Sequence, residues 1–143
     1  IFNDKCFDLK GYIDTGNVLK DPYFKKSVSI VDLESLNFGG DSIRQLILDD
    51  IELNTKVKYH MIPYNSLGCE SGMLEVITVD SMYIYTKKKI YAQKNALIGL
   101  STVKLSSDNE FNVLVNIGAV QAENCIKELK FGGCYGFKSC GRR

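Results

Sequence analysis

The chain has 143 residues, 45% hydrophobic and 24% charged, and its 18 basic and 17 acidic residues leave a net charge of +1. That composition suits one globular domain with a real core. It lacks the basic stripe of a nucleic-acid surface and any apolar run near the ~18 residues that span a bilayer.

In chain order, Cys6, Leu9, Tyr12 and Ile13 form a β-like run that stops at Asp14, where Asp14-Thr15-Gly16-Asn17 interrupts it. This is turn chemistry in its own right, since Asp caps its own turn and Gly tolerates positive φ. Val18-Leu19 resumes briefly, Asp21-Pro22-Tyr23 turns, and Val28 to Val31 is a short β-branched strand. Asp41 to Ile51 changes to helical spacing through Ile43, Leu46, Ile47 and Ile51, after Gly39-Gly40 and an N-cap at Asp41 or Ser42. Asp49-Asp50 reads as a solvated helix end.

From Val57 to Pro63 and again from Leu74 to Val79 the chain is extended, around a polar, glycine-bearing loop from Tyr64 to Gly72. This predicts a long hairpin. Ser81 to Gln93 predicts a second one turning on Lys87-Lys88-Lys89. Leu97-Ile98-Gly99 precedes an expected turn of helix, Phe111 to Val120 is β-rich, and Gln121 to Lys130 offers a short helix with Cys125, Ile126 and Leu129 on one face. The Gly- and Cys-rich end is expected to be a loose tail. The sum is a mostly β domain over residues 1–131 with one or two short helices, followed by a tail over 132–143.

The five cysteines (Cys6, Cys69, Cys125, Cys134, Cys140) contain no CxxC pair, and His60 is the single histidine. A zinc site is disfavoured, no cofactor is expected, and reduced thiols are the default reading, with Cys134 and Cys140 able to pair under oxidation. His60 reads as a half-exposed strand residue. The opening Ile1-Phe2-Asn3, without Met, reads as the start of a piece cut from something longer.

Three features occur in a telling order: Asp14-Thr15-Gly16 at a strand end, a glycine-bearing hairpin around Ser66 to Gly72, and Leu97-Ile98-Gly99. The order resembles the retroviral-type aspartic peptidases, with a catalytic loop, a flap and an apolar-apolar-glycine strand beside the loop. The resemblance is closer to the sporulation sigma-E factor-processing peptidases of endospore-forming bacteria. It rests on Gly11-Tyr12-Ile13-Asp14-Thr15-Gly16-Asn17, Ile62-Pro63-Tyr64, Gly68 and Gly72-Met73-Leu74, and covers roughly residues 7–120.

This resemblance implies a retropepsin-like closed β-barrel or sandwich with one half of an active site per chain. Asp14 would be catalytic. Thr15, Gly16 and Asn17 would form the active-site loop, with Thr15 bonding across a dimer, Gly16 admitting close backbone and Ile13 anchored in the core. Ile62, Ser66, Leu67, Gly68 and Gly72 would form the flap, and Leu97, Ile98 and Gly99 would support the site. Each also has a plain reading as turn, hairpin tip or core. No second Asp-[Ser/Thr]-Gly exists in the chain, so catalysis would need a homodimer.

The implied substrate is a pro-sigma factor losing its N-terminal pro-segment. The implied setting is the cytoplasmic face of the membrane, below an upstream membrane-embedded domain and under a secreted activating signal protein. The fragment itself would be soluble, without direct membrane contact. A non-catalytic dimerisation or protein-binding module of the same fold is the rival reading. A retroelement or phage maturation protease is a weaker one, disfavoured by Ile62-Pro63-Tyr64 and the inserted helix.

Overall fold

The computed structural model describes residues 1, 6–36, 59–66 and 69–129, the side chains of residues 65, 66 and 69–71 excepted. The predicted helix over 41–51, the hairpin tip Leu67-Gly68 and the tail over 132–143 lie outside the described residues.

Seven strands form one mixed sheet: β1 (Gly11–Asp14), β2 (Val28–Asp32), β3 (Tyr59–Ser66), β4 (Cys69–Tyr85), β5 (Lys89–Ser101), β6 (Val113–Asn116) and β7 (Cys125–Glu128). Their order is β1-β6-β2-β5-β4-β3, with β7 added to β5. β1 runs parallel to β6, β2 parallel to β5, and the other pairings are antiparallel. The two ends of the path, β1 and β3, are not paired with each other. The sheet is therefore open, where a closed barrel or sandwich was expected.

Two strands organise everything else. β4 and β5 span 17 and 13 residues, well beyond the usual five or six. They pair from Glu75↔Leu100 to Tyr85↔Ile90. The turn between them falls on the predicted lysines. Thr86 closes it, its hydroxyl donating to the Lys89 carbonyl and accepting from the Lys88 and Lys89 amides. Because successive side chains point to opposite faces, a strand buried on both sides feeds two cores. Ile77, Val79, Ala96, Ile98, Leu100, Val113 and Val115 fill one, and Val28, Ile62, Leu74, Val76 and Leu97 the other.

The second core explains the glycine at residue 99. A Cβ there would lie 2.5 Å from Leu74 Cδ2 and 3.4 Å from Val28 Cγ1. The Leu74 side chain, itself buried, occupies that space.

Local expectations fail where neighbours decide. The helix expected over Gln121 to Lys130 is not found among its described residues, Gln121 to Leu129: a 3₁₀ turn (Ala122–Asn124) leads into β7. A stretch this short has little helical stability of its own, and the open edge of β5 at Lys89–Tyr91 offers it backbone partners. The turn of helix expected after Gly99 is absent, because β5 continues to Ser101 between β2 and β4. The hairpin loop is shorter than predicted, since pairing continues through Tyr64↔Gly72 to Ser66↔Cys69. Among the described residues, helix is limited to 3₁₀ turns at Leu33–Leu36, Ile117–Val120 and Ala122–Asn124. Cys6 is disulfide-bonded, against the expectation of reduced thiols, whereas Cys125 is free.

Gly99→Ala should overpack the second core and cost about 1–3 kcal/mol in urea unfolding. Combining it with Leu74→Ala should cost less than the sum of the two single changes, because the alanine vacates the contested space. Strict additivity would contradict the contact.

Candidate active site

Asp14 ends β1 opposite Asn116 of β6. The chain must turn there, and Asp14 makes the turn itself. Its backbone carbonyl accepts from the Asn17 amide (3.0 Å), and its Oδ1 accepts from the Gly16 amide (2.9 Å). Gly16 is not in the left-handed region; its contribution is room. A Cβ would sit 3.2 Å from Asp14 Oδ1, so the close neighbour is the carboxylate, not a second stretch of backbone. Asp14 is half-buried, and Thr15 and Gly16 are exposed. Ile13 is 37% exposed rather than anchored in the core, because β1 is the terminal strand of the sheet.

A buried amide pair holds the loop. Asn17, 8% exposed, donates to the carbonyls of Val28 (3.3 Å) and Leu114 (3.4 Å) and accepts from the Leu19 amide (3.2 Å). Asn116, 2% exposed, sends its Nδ2 toward Leu19 O (2.8 Å), Val28 O (3.1 Å) and Asn17 Oδ1 (3.3 Å). Its Oδ1 accepts from the Gly118 amide (2.8 Å), capping the 3₁₀ turn that follows. Its backbone amide donates to Ser29 Oγ (3.0 Å). An amide supplies both donors and acceptors, which this junction of strand ends requires. In the sequence Asn116 is only a polar residue within the apolar run from Val113 to Val120.

The supporting residues fall around this knot. Leu97, Ile98 and Gly99 pair in parallel with Val28, Ser29 and Ile30, beside the strand whose carbonyl binds both amides. Leu97 and Ile98 are buried in opposite cores. Of the expected flap residues, Ile62 is fully buried in the second core, and Ser66 and Gly72 lie in the paired stem. Leu67 and Gly68 lie outside the described residues.

A second pair was missed. Asp21, whose side chain is 0% exposed, bonds through Oδ2 to Nε2 of His60, whose side chain is 23% exposed. Its Oδ1 accepts from the Tyr23 (2.7 Å) and Phe24 (2.9 Å) amides. Burial pushes the Asp21 carboxyl up, but the His60 bond and the two amides outweigh it and hold the group below the ordinary carboxylate range. The rings of Tyr23 and Phe24 meet His60 edge-on, with centroids at 6.4 and 5.6 Å. The sequence signal was the Asp-Pro turn, which does not reveal a partner 39 positions away.

Among the described residues, no group of three His, Cys, Asp or Glu is arranged to hold a metal, and no helix is long and apolar enough to cross a membrane.

Residues 1–118 match the peptidase family described as sporulation factor SpoIIGA. The sporulation sigma-E factor-processing peptidase of Bacillus subtilis (strain 168) is 32% identical over 122 residues, 76% of this chain and 38% of that protein. A Bacillus thuringiensis subsp. kurstaki protein named for sporulation sigma factor processing is 31% identical over 120 residues, 76% of this chain and 73% of its own length. The sporulation sigma-E factor-processing peptidase of Priestia megaterium is 26% identical over 125 residues, 81% of this chain and 41% of its own. The chain thus spans about two fifths of the first and third of these relatives. No solved structure matches the chain.

Asn116→Ala should destabilise the domain by about 2–3 kcal/mol in chemical denaturation, because the Leu19 and Val28 carbonyls each lose one of two donors and the Gly118 amide loses its acceptor. A cost under 0.5 kcal/mol would show that water replaces the amide. The Asp21 contribution is present above the unfolded carboxyl value of about 3.9 and lost as pH falls through the lower folded value. Stability should therefore rise with pH across the window just below 4. Asp21→Asn should flatten that rise in thermal melts, and an unchanged slope would assign it to other groups.

Proposed function

This chain belongs to the peptidase family of sporulation factor SpoIIGA, and from that premise we propose that it is the catalytic unit, residues 1–131, of an aspartic endopeptidase that removes the N-terminal pro-segment of a sporulation sigma factor. The observation that carries the reading is the loop itself. A half-buried carboxylate, Asp14, sits at the end of an edge strand, with its Oδ1 held by the Gly16 amide and its backbone tied down by the Asn17–Asn116 pair.

Aspartic-peptidase chemistry needs two carboxylates sharing one proton. The chain has one Asp-Thr-Gly, so the second Asp14 comes from a second copy across a twofold axis. The surface supports this. β1 is terminal in the sheet, and Tyr12 (57%), Ile13 (37%) and Val18 (68%) leave apolar area exposed on both sides of the carboxylate.

In the dimer the ionised Asp14 takes a proton from a water whose oxygen attacks the scissile carbonyl carbon. The protonated Asp14 donates to the carbonyl oxygen. Collapse of the tetrahedral intermediate breaks the C–N bond, and the departing amine takes a proton back. The β3–β4 hairpin acts as the flap over an extended peptide, and the half-site is retropepsin-like in its use of loop, flap and Leu97-Ile98-Gly99. In the whole protein, the unit works at the cytoplasmic face of the membrane, under a secreted signal protein.

Asp14→Asn should abolish processing of the pro-sigma factor while leaving the melting temperature within a few degrees, since the substitution keeps an oxygen for the Gly16 amide. Specific activity should rise with protein concentration until the dimer saturates. Near-normal processing by Asp14→Asn would overturn the aspartic mechanism. Loss-free self-association by the same variant, with no cleavage by the wild-type chain, would favour the binding-module reading.

A further inference from the structure

The hairpin and the Asp14 loop are far apart in the sheet path, since β1 and β3 are its two ends. The hairpin stem nevertheless reaches the segment that follows that loop. Along β3, Met61 and Pro63 are exposed, whereas His60, Ile62 and Tyr64 are turned inward. Ile62 and Tyr64 pack in the second core with Leu19 and Val28. His60, on the same face, reaches Asp21. Leu19 and Asp21 belong to the segment that descends directly from Asp14, through Asn17, whose Oδ1 accepts from the Leu19 amide.

The Asp21 end is rigid. Beyond its side-chain bonds, its amide donates to the Lys26 carbonyl and its carbonyl accepts from the Lys25 amide, both at 2.9 Å. The turn so closed leads straight into β2. The hairpin stem is thus docked onto a fixed point five to seven residues after Asp14 by an apolar contact, which sets no height, and by one polar pair, which does. Directional bonds define position in a way that a greasy contact does not.

From this we infer that Asp21 and His60 are a positioning pair that sets the hairpin against the Asp14 loop and so governs how tightly an extended substrate segment is held between them. The inference rests on the reading of the hairpin as a flap. Neither residue reaches the reacting atoms. Asp21 orients the imidazole, and the Tyr23 and Phe24 rings confine it. Loss of the pair releases the stem while the Asp14 turn, held by its own bonds to Gly16, Asn17 and Asn116, stays in place. Substrate binding suffers and the chemical step does not, which is the signature of lost uniform binding.

The test is steady-state processing of the pro-sigma factor by the full-length protein carrying His60→Ala, His60→Gln or Asp14→Asn, with melting curves on each. His60→Ala should raise KM about tenfold with kcat within twofold, and His60→Gln, which keeps an N–H for Asp21, should recover most of the loss. If His60→Ala does not fold, His60→Asn, whose shorter side chain draws the amide back from Asp21, should give the same KM rise. A lowered melting temperature with unchanged KM, or a His60→Gln no better than His60→Ala, would reduce the pair to a structural clip. If Asp14→Asn is dead and KM is unmoved by His60→Ala, the positioning role alone falls. If Asp14→Asn remains active, the flap reading falls and the positioning role with it.

Discussion

Three strand ends converge at Asn116, and each brings backbone groups that the sheet cannot satisfy. β1 stops at Asp14, β6 stops at Asn116 itself, and β2 begins at Val28 after the chain has wandered through an irregular segment. An unpaired carbonyl buried at this junction would cost as much as a lost hydrogen bond. The Asn116 and Asn17 amides satisfy the Leu19, Val28 and Leu114 carbonyls together, and they bond to each other. The shape of the Asp14 turn follows from that constraint. With Asn17 fixed between β2 and β6, the four residues from Asp14 have one short path back, and the carboxylate is left at its mouth.

The long strands β4 and β5 carry the consequence across the molecule. Their alternation builds a core on each face, and the second core puts Leu74 and Ile62 of the hairpin against Val28, the same residue whose carbonyl receives both amides. Gly99 is what lets Leu74 come that close. The segment that follows Asp14 and the stem of the β3–β4 hairpin therefore share one small apolar cluster and the Asp21–His60 pair. Packing of this kind transmits displacement, because a filled interior has no slack to absorb it.

The terminal strand of an open sheet invites pairing, since it presents backbone groups and apolar surface without a neighbour. Tyr12 and Ile13 of β1 are among the exposed apolar residues, beside the one Asp-Thr-Gly in the chain. The relatives are peptidases by family, and the matched region spans only part of several of them.

The sequence by itself determined the elements whose signals are local: the strand into Asp14, β2, the turn at the lysines, and the alternating stretches of the two hairpins. It also determined the order of loop, hairpin and Leu97-Ile98-Gly99, and with it the family. What only the tertiary structure decided depends on partners distant in the chain. Asn116 reads as an interruption until Asn17, 99 positions away, is beside it. His60 reads as a strand residue until it meets Asp21. β7 is a strand because β5 has a free edge, and Ile13 is exposed because β1 has no further neighbour among the described strands. Whether the sheet closes was also out of reach, because alternation reports which side of a strand is buried and not what lies at its ends.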